Sequence, residues 1–228
     1  NRLEGKVTKV ELDQETGNIF SLSLENNRTV KGDFFFDCTG FRALLSGKAL
    51  KTPFTDWGHW LPCDTAQTVA SERNGELLPY TKSTAKSDGW QWRIPTQRRT
   101  GNGHIYSSKF MKDNDALEIL LDGIDTNLIG TPRKISFKTG CRKSLWNKNC
   151  ISIGLSAGFL EPLESTSLYL IQAGISKFIT LFPTAEISDL VRNEYNKQML
   201  KEFYQVRDFI ILHYKATERN DSDFWNYC

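Results

Sequence analysis

Paired ligand spacings are missing from this sequence. Its five cysteines (Cys38, Cys63, Cys141, Cys150, Cys228) are scattered without a C-x-x-C, and its three histidines (His59, His104, His213) lie far apart. No local zinc motif is supported, so no metal is expected. The odd, dispersed cysteine set reads as reduced thiols of a cytoplasmic protein rather than a disulfide framework. A signal-peptide pattern is absent, as is any apolar run long enough to span a bilayer, which argues against a membrane partner. Charge of one sign is lacking too. The 29 Lys+Arg against 27 Asp+Glu leave a net charge of +2, too near neutral to argue for nucleic acid. Lysines and glutamates alternate rather than form blocks, as on an ordinary solvated surface. There is no internal repeat and no low-complexity tract.

What is present is enough for a sizeable core. With 39% hydrophobic residues over 228 positions, one or two domains are expected. The chain begins at Asn1 rather than Met and stops at Cys228 just past an aromatic cluster, so both ends read as cut. Residues 6–37 predict three antiparallel strands, with Phe20, Leu22 and Leu24 alternating with polar residues and breaks at 15–18 and 26–28. The third strand is expected to run from Thr29 to Asp37 and to be covered on both faces along Phe34-Phe35-Phe36. Loop-rich sequence over 46–112 carries strand candidates at 65–71, 79–85, 89–95 and 103–110. A short helix follows over Asn114–Leu121, with Asp113 or Asn114 as its cap. Ile151–Leu155 reads as a short buried strand. Two helical stripes come next: Leu168, Ile171, Ile175, Phe178, Ile179 and Phe182, halted at Pro183, then Ile187 through Tyr214.

Two stretches carry chemistry. In Glu161-Pro162-Leu163-Glu164-Ser165-Thr166-Ser167, a hydroxyl run before a helical pattern is a good N-cap. The amides near Thr166 and Ser167 face out from the positive helix end and form a seat for a small anion. Glu164, just outside that end, is expected to stay ionised. By spacing alone the segment could equally do no more than cap a helix. In Trp90-Gln91-Trp92-Arg93-Ile94-Pro95 the two indoles project to one strand face, a pattern that by itself reads as core packing.

The two motifs, W-x-W-x-I-P and G-F-x-E-P-L-E-S-T, resemble flavin-dependent halogenases of the tryptophan-halogenase type. The fold implied is α/β overall and α+β in this stretch, a portion of a flavoprotein-monooxygenase-like FAD domain with an inserted β-rich substrate domain and long C-terminal helices. Residues 1–45 would belong to the FAD domain, 46–145 to the substrate domain, 146–183 to a return into the FAD domain with the catalytic loop, and 184–228 to a helical region. By resemblance Glu164 is the catalytic glutamate, and the amides of Thr166 and Ser167 bind chloride. Serine stands where the family has glycine, so a side chain crowds that site. Glu161 has no family role and reads as surface or loop-bracing. Trp90, Trp92, Ile94 and Pro95 imply a wall between flavin and substrate. Asp37-Cys38-Thr39-Gly40 resembles the D-x-x-G turn that approaches the dinucleotide, which makes Asp37 and Gly40 cofactor contacts, joined by Leu155 and Leu168. Tyr214, Phe224 and Trp225 resemble substrate-pocket aromatics, whereas Lys215 and Asn220 depart from residues that grip free tryptophan.

The activity implied is chlorination or bromination of an electron-rich aromatic, tryptophan, another indole or a phenol, through hypohalous acid. It uses FADH2 from a separate flavin reductase, with O2 and halide as co-substrates. A homodimer is left open. The G-x-G-x-x-G fingerprint and the family's lysine are absent from these residues, so the chain alone is expected to be inactive. Two rivals stand beside this reading: a flavin-dependent aromatic hydroxylase and a non-catalytic flavoprotein remnant.

Overall fold

A computed structural model describes residues 2–182 and 187–228. In chain order the described residues form β1 (Val7–Leu12), β2 (Ile19–Leu24), β3 (Thr29–Lys31), β4 (Phe35–Asp37), β5 (Phe54–Asp56), β6 (Thr65–Ser71), β7 (Lys82–Lys86), β8 (Gly89–Pro95) and β9 (Thr100–Tyr106). Then come α1 (Asp113–Asp122), β10 (Leu128–Ser136), β11 (Gly140–Arg142), β12 (Trp146–Asn147), β13 (Cys150–Ser152), β14 (Gly158–Phe159), α2 (Ser167–Thr180), α3 (Asp189–Lys215) and α4 (Asp223–Tyr227). They divide into two compact units. One holds residues up to Thr55, Gly140–Leu160 and Ser165–Arg207; the other holds Asp56–Thr139, Glu161–Glu164 and Asp208–Cys228.

In the first unit β1, β2 and β3 form the expected antiparallel meander. Its first turn is set by Asp13, whose carboxylate accepts the Glu15 and Thr16 amides, and by Gly17 at φ +69°. The third strand does not continue to Asp37. It breaks after Lys31, and β4 instead pairs in parallel with β13, Phe35 opposite Cys150 and Asp37 opposite Ser152. Nor is β4 covered on both faces, because Phe35 and Asp37 are buried while Phe36 is 46% exposed. Strand alternation wins over the apolar run, since neighbouring side chains must point to opposite sides. The core gathers Phe34, Trp146, Phe178 and Tyr195 in edge-on and stacked contacts 5.2–5.7 Å between centroids. Such rings contribute both area and specific geometry.

Helix α2 buries Leu170, Gly174 and Phe178, so of the expected stripe Phe178 is buried and Ile171 half-buried, and the buried face is shifted toward Leu170 and Gly174. Leu168, Ile175, Ile179 and Phe182 lie exposed. Gly174 explains the choice. A Cβ there would come within 3.2 Å of both Ile153 and the Tyr195 hydroxyl, so the bare backbone is the side that approaches. Pro183, expected to stop this helix, lies outside the described residues. Helix α3 matches its stripe: Tyr195, Met199, Phe203, Val206, Ile210 and Tyr214 are all buried.

The second unit is built on an antiparallel sheet of order β10-β6-β9-β8-β7. Helix α1 lies on it, burying Ala116 and Leu120 and accepting a contact of 3.0 Å from His104 Nδ1 at the Ala116 carbonyl. Asp113 does not cap α1. The N-cap is Lys112, and the Asp113 carboxylate is taken by the Tyr106 hydroxyl at 2.7 Å and by Lys134. A tertiary partner has outcompeted the local one. At the end of the chain, α4 is capped by Ser222, whose hydroxyl accepts the Trp225 amide at 3.3 Å. Among the described residues no helix is long and apolar enough to cross a membrane.

Candidate active site

In the second unit, β8 seats Trp90 opposite Ala85 of β7 and Ile105 of β9. Gly89 before it allows the strands to close, because a Cβ there would overlap the Ile105 carbonyl. The buried indole donates from Nε1 to Glu161 Oε2 at 2.6 Å. The Tyr214 hydroxyl donates to the same oxygen at 2.6 Å. Burial holds the Tyr214 phenol well above its ordinary value, so it keeps its proton and acts as the donor. Cys63 Sγ sits 3.7 Å from that hydroxyl and, its own thiol also pushed up by burial, supplies the weak S–H behind it.

Glu161 is therefore not a surface residue. It is 0% exposed, and burial lifts its carboxyl from 4.5 to about 7 against the pull of its two donors. Its second oxygen, Oε1, is buried without a hydrogen-bond partner. The bracing half of the earlier expectation is realised, in the core.

Trp90 and Tyr214 are two walls of a cavity of about 210 Å³, completed by Trp225, Leu163, Thr217, His213 and the outer edge of β7. Trp225 is fixed by its Nε1 donating to the Lys86 carbonyl at 2.7 Å, and its ring lies 5.8 Å from that of Tyr214. Three aromatic faces around a small volume suit a flat, mostly apolar ring. Beside Leu163, Glu164 places Oε1 2.7 Å from His213 Nε2, while His213 Nδ1 lies 2.8 Å from the Phe209 carbonyl. A carbonyl only accepts, so Nδ1 must carry a hydrogen.

In the first unit, the Asp37 turn and the Gly154–Ser156 turn leave the parallel strands β4 and β13 at their C-terminal ends, side by side. The Ile153 amide and the Ser156 hydroxyl both donate to the Asp37 carbonyl. The Asp37 carboxylate is wholly engaged inward, accepting from the Thr39 amide and hydroxyl and from the Leu45 and Ser46 amides and the Ser46 hydroxyl. Gly40 has φ +68° and open space where a Cβ would stand. Further along, Ser165 adopts φ +55°, a left-handed conformation unusual for a serine. Thr166 then enters α2 with helical angles (φ −73°, ψ −10°), and no side chain caps the helix. An N-cap hydroxyl needs extended backbone to reach the next amides. Thr166 lacks it, and its Oγ1 is buried without a partner. The hydroxyl cap expected from the sequence is absent.

A family model described as tryptophan halogenase matches residues 1–228, the whole chain. The chain belongs to that family. Among curated relatives of this chain, tryptophan 7-halogenase KtzQ of Kutzneria is 36% identical over 225 residues, covering 97% of this chain and 42% of the relative. Among solved structures, the flavin-dependent halogenase Xcc4156 from Xanthomonas campestris superposes with a TM-score of 0.97 at 42% identity, over 100% of this chain and 46% of that one. BrvH, a flavin-dependent halogenase from Brevundimonas, gives 0.95 at 47% identity over 99% and 46%. The chain thus spans somewhat under half the length of these halogenases, and its mixed α/β fold is theirs.

Of the residues singled out in the sequence, Trp90, Tyr214 and Trp225 share one cavity, with Glu164 held beside it through His213. Others stand elsewhere. Trp92 packs beside Trp90, their ring centroids 6.0 Å apart as the shared strand face predicts, but it lies over Gly103 and lines a separate cleft with Asn102 and Arg99; Ile94 is exposed, and Pro95 pairs opposite Thr100 at the strand end. Phe224 is fully buried behind the cavity, 6.0 Å from the Phe110 ring and 5.1 Å from Trp225, so it supports the wall without lining it. Glu161, which the sequence suggests is a surface or loop-bracing residue, is instead the buried acceptor of the Trp90 and Tyr214 donors. Its signal was faint: an acidic residue set between Leu160 and Pro162-Leu163, where an exposed carboxylate would not need apolar neighbours.

Proposed function

We propose that the protein containing this chain is an FADH2-dependent halogenase that chlorinates or brominates an electron-rich aromatic, an indole or a phenol. The observation that carries this reading is the aromatic cavity of Trp90, Tyr214 and Trp225 with the Glu164 carboxylate tied to its His213 wall. In this reading Glu164 orients the halogenating species and accepts the ring proton as general base, and His213 Nε2 holds its Oε1 in place. The cavity walls fix which ring carbon faces Glu164, a proximity effect. The amides of Thr166 and Ser167, at an α2 terminus that no side chain caps, seat the halide.

The first unit fits a flavin dinucleotide. Turns at the C-terminal ends of neighbouring parallel strands are where such folds hold nucleotides, and Gly40 leaves room for close approach. Leu155, 40% exposed, and Leu168, 71% exposed, offer the apolar surface that a flat ring system covers. When bound and reduced by a partner flavin reductase, FAD supplies with O2 the oxidising power that turns halide into hypohalous acid. The five free cysteines suit a reducing cytoplasm.

The test is the full-length protein with FAD, a flavin reductase, O2 and bromide, screened against indoles and phenols by mass spectrometry. A brominated product that Glu164→Gln abolishes supports the reading. A hydroxylated product formed without halide overturns it.

A further inference from the structure

We infer that Glu161 is a positioning residue of the aromatic cavity, holding Trp90 and Tyr214 at the spacing that admits one planar ring. The inference rests on the proposed function for the aromatic nature of the ligand. Two donors from elements far apart in sequence, the Trp90 indole on β8 and the Tyr214 phenol near the end of α3, converge on a single oxygen at 2.6 Å each. Both donors line the cavity; Glu161 itself does not. Its carboxylate sits behind them, fully buried, with Oε1 left unpartnered. A buried carboxyl with an orphan oxygen is a poor way to stabilise a core, where an apolar side chain of like volume would do better. What it does supply is direction. One acceptor fixes the plane of the indole and the reach of the phenol together, so the gap between them is set by a carboxylate rather than by loose packing. Trp225, held on Lys86 and tilted against Tyr214, inherits that placement.

The experiment uses the full-length protein as wild type, Glu161→Gln and Glu161→Leu, with indole as the probe. Calorimetric titration gives its dissociation constant. Indole N–H signals of ¹⁵N-tryptophan-labelled protein report Trp90, assigned by its loss in Trp90→Phe. The glutamine carbonyl can accept both hydrogen bonds, so Glu161→Gln is expected to bind indole within about threefold of wild type and keep the Trp90 signal. Leucine fills the volume but accepts nothing, so Glu161→Leu, still folded by its melting curve, is expected to bind at least about tenfold more weakly with a shifted Trp90 signal. Equal affinity in Glu161→Leu and wild type overturns the inference. So does a loss in Glu161→Gln as large as in Glu161→Leu, because charge rather than position would then matter. Wild type that binds no indole overturns it as well. If the variants split as expected while no brominated product forms from any indole or phenol, the halogenase reading fails and the placement role stands.

Discussion

The buried Glu161 should make stability depend on pH in a direction opposite to that of most carboxylates. Its carboxyl titrates at about 7 in the folded protein against an ordinary 4.5. Below 4.5 both the folded and unfolded states hold the proton, and the group contributes no slope. Between the two values the unfolded chain ionises while the folded one keeps its proton, so stability falls as pH rises. Above about 7 both are ionised and the loss is complete, amounting to about 3 kcal/mol. Glu161→Gln cannot titrate in this range and should lack the fall. Urea unfolding of both proteins from pH 4.5 to 8 would show Glu161→Gln gaining on wild type by about 3 kcal/mol across the interval. Other groups move both curves alike, and Glu164→Gln, altered at a side chain that is 43% exposed, serves as the control. Parallel curves for wild type and Glu161→Gln would refute the claim that burial governs this carboxyl.

Other positions give independent checks. Gly103 lies opposite Trp92, and a Cβ there would overlap the indole; Gly103→Val should displace the ring and destabilise by about 1–3 kcal/mol in urea melts, with a changed near-ultraviolet circular dichroism. Asp37→Ala strips the acceptor from three amides and two hydroxyls and should cost at least about 3 kcal/mol by the same assay. Tyr195 buries a hydroxyl without a partner, so Tyr195→Phe should be neutral or stabilising by up to about 1 kcal/mol, and a clear loss would mean the hydroxyl is satisfied. If the Thr166 and Ser167 amides seat the halide, Ser167→Gly should lower the bromide KM of the full-length enzyme severalfold, and an unchanged value would place the halide elsewhere.

Local order was readable in the residues themselves. Strand β8 could be bounded at Gly89 and Pro95, and β6 at Thr65 and Ser71, because turn residues bracket short alternating runs. The α3 stripe was equally plain, since its apolar spacing of three and four has one meaning for a helix that long. The W-x-W-x-I-P and G-F-x-E-P-L-E-S-T stretches led to the family, because the whole chain matches its model.

Tertiary structure decided what partners each group found. Gly32-Asp33 is a local break signal after Lys31, but nothing local says that Phe35 begins a strand of another sheet, because the parallel partner of β4 lies more than a hundred residues away at Cys150. Helix α2 carries apolar residues on more than one side, and only the close approach at Gly174 chose which to bury. The Asp113 cap was lost to a tyrosine and a lysine from other strands. Most of all, Glu161 and Glu164 are three positions apart in one acidic loop, yet one is sealed under Trp90 and Tyr214 while the other stays half in water beside His213. Periodicity is a property of neighbours along the chain and can be read from them. Burial of a charge depends on what arrives from elsewhere to cover it, and that is settled only when the chain has folded.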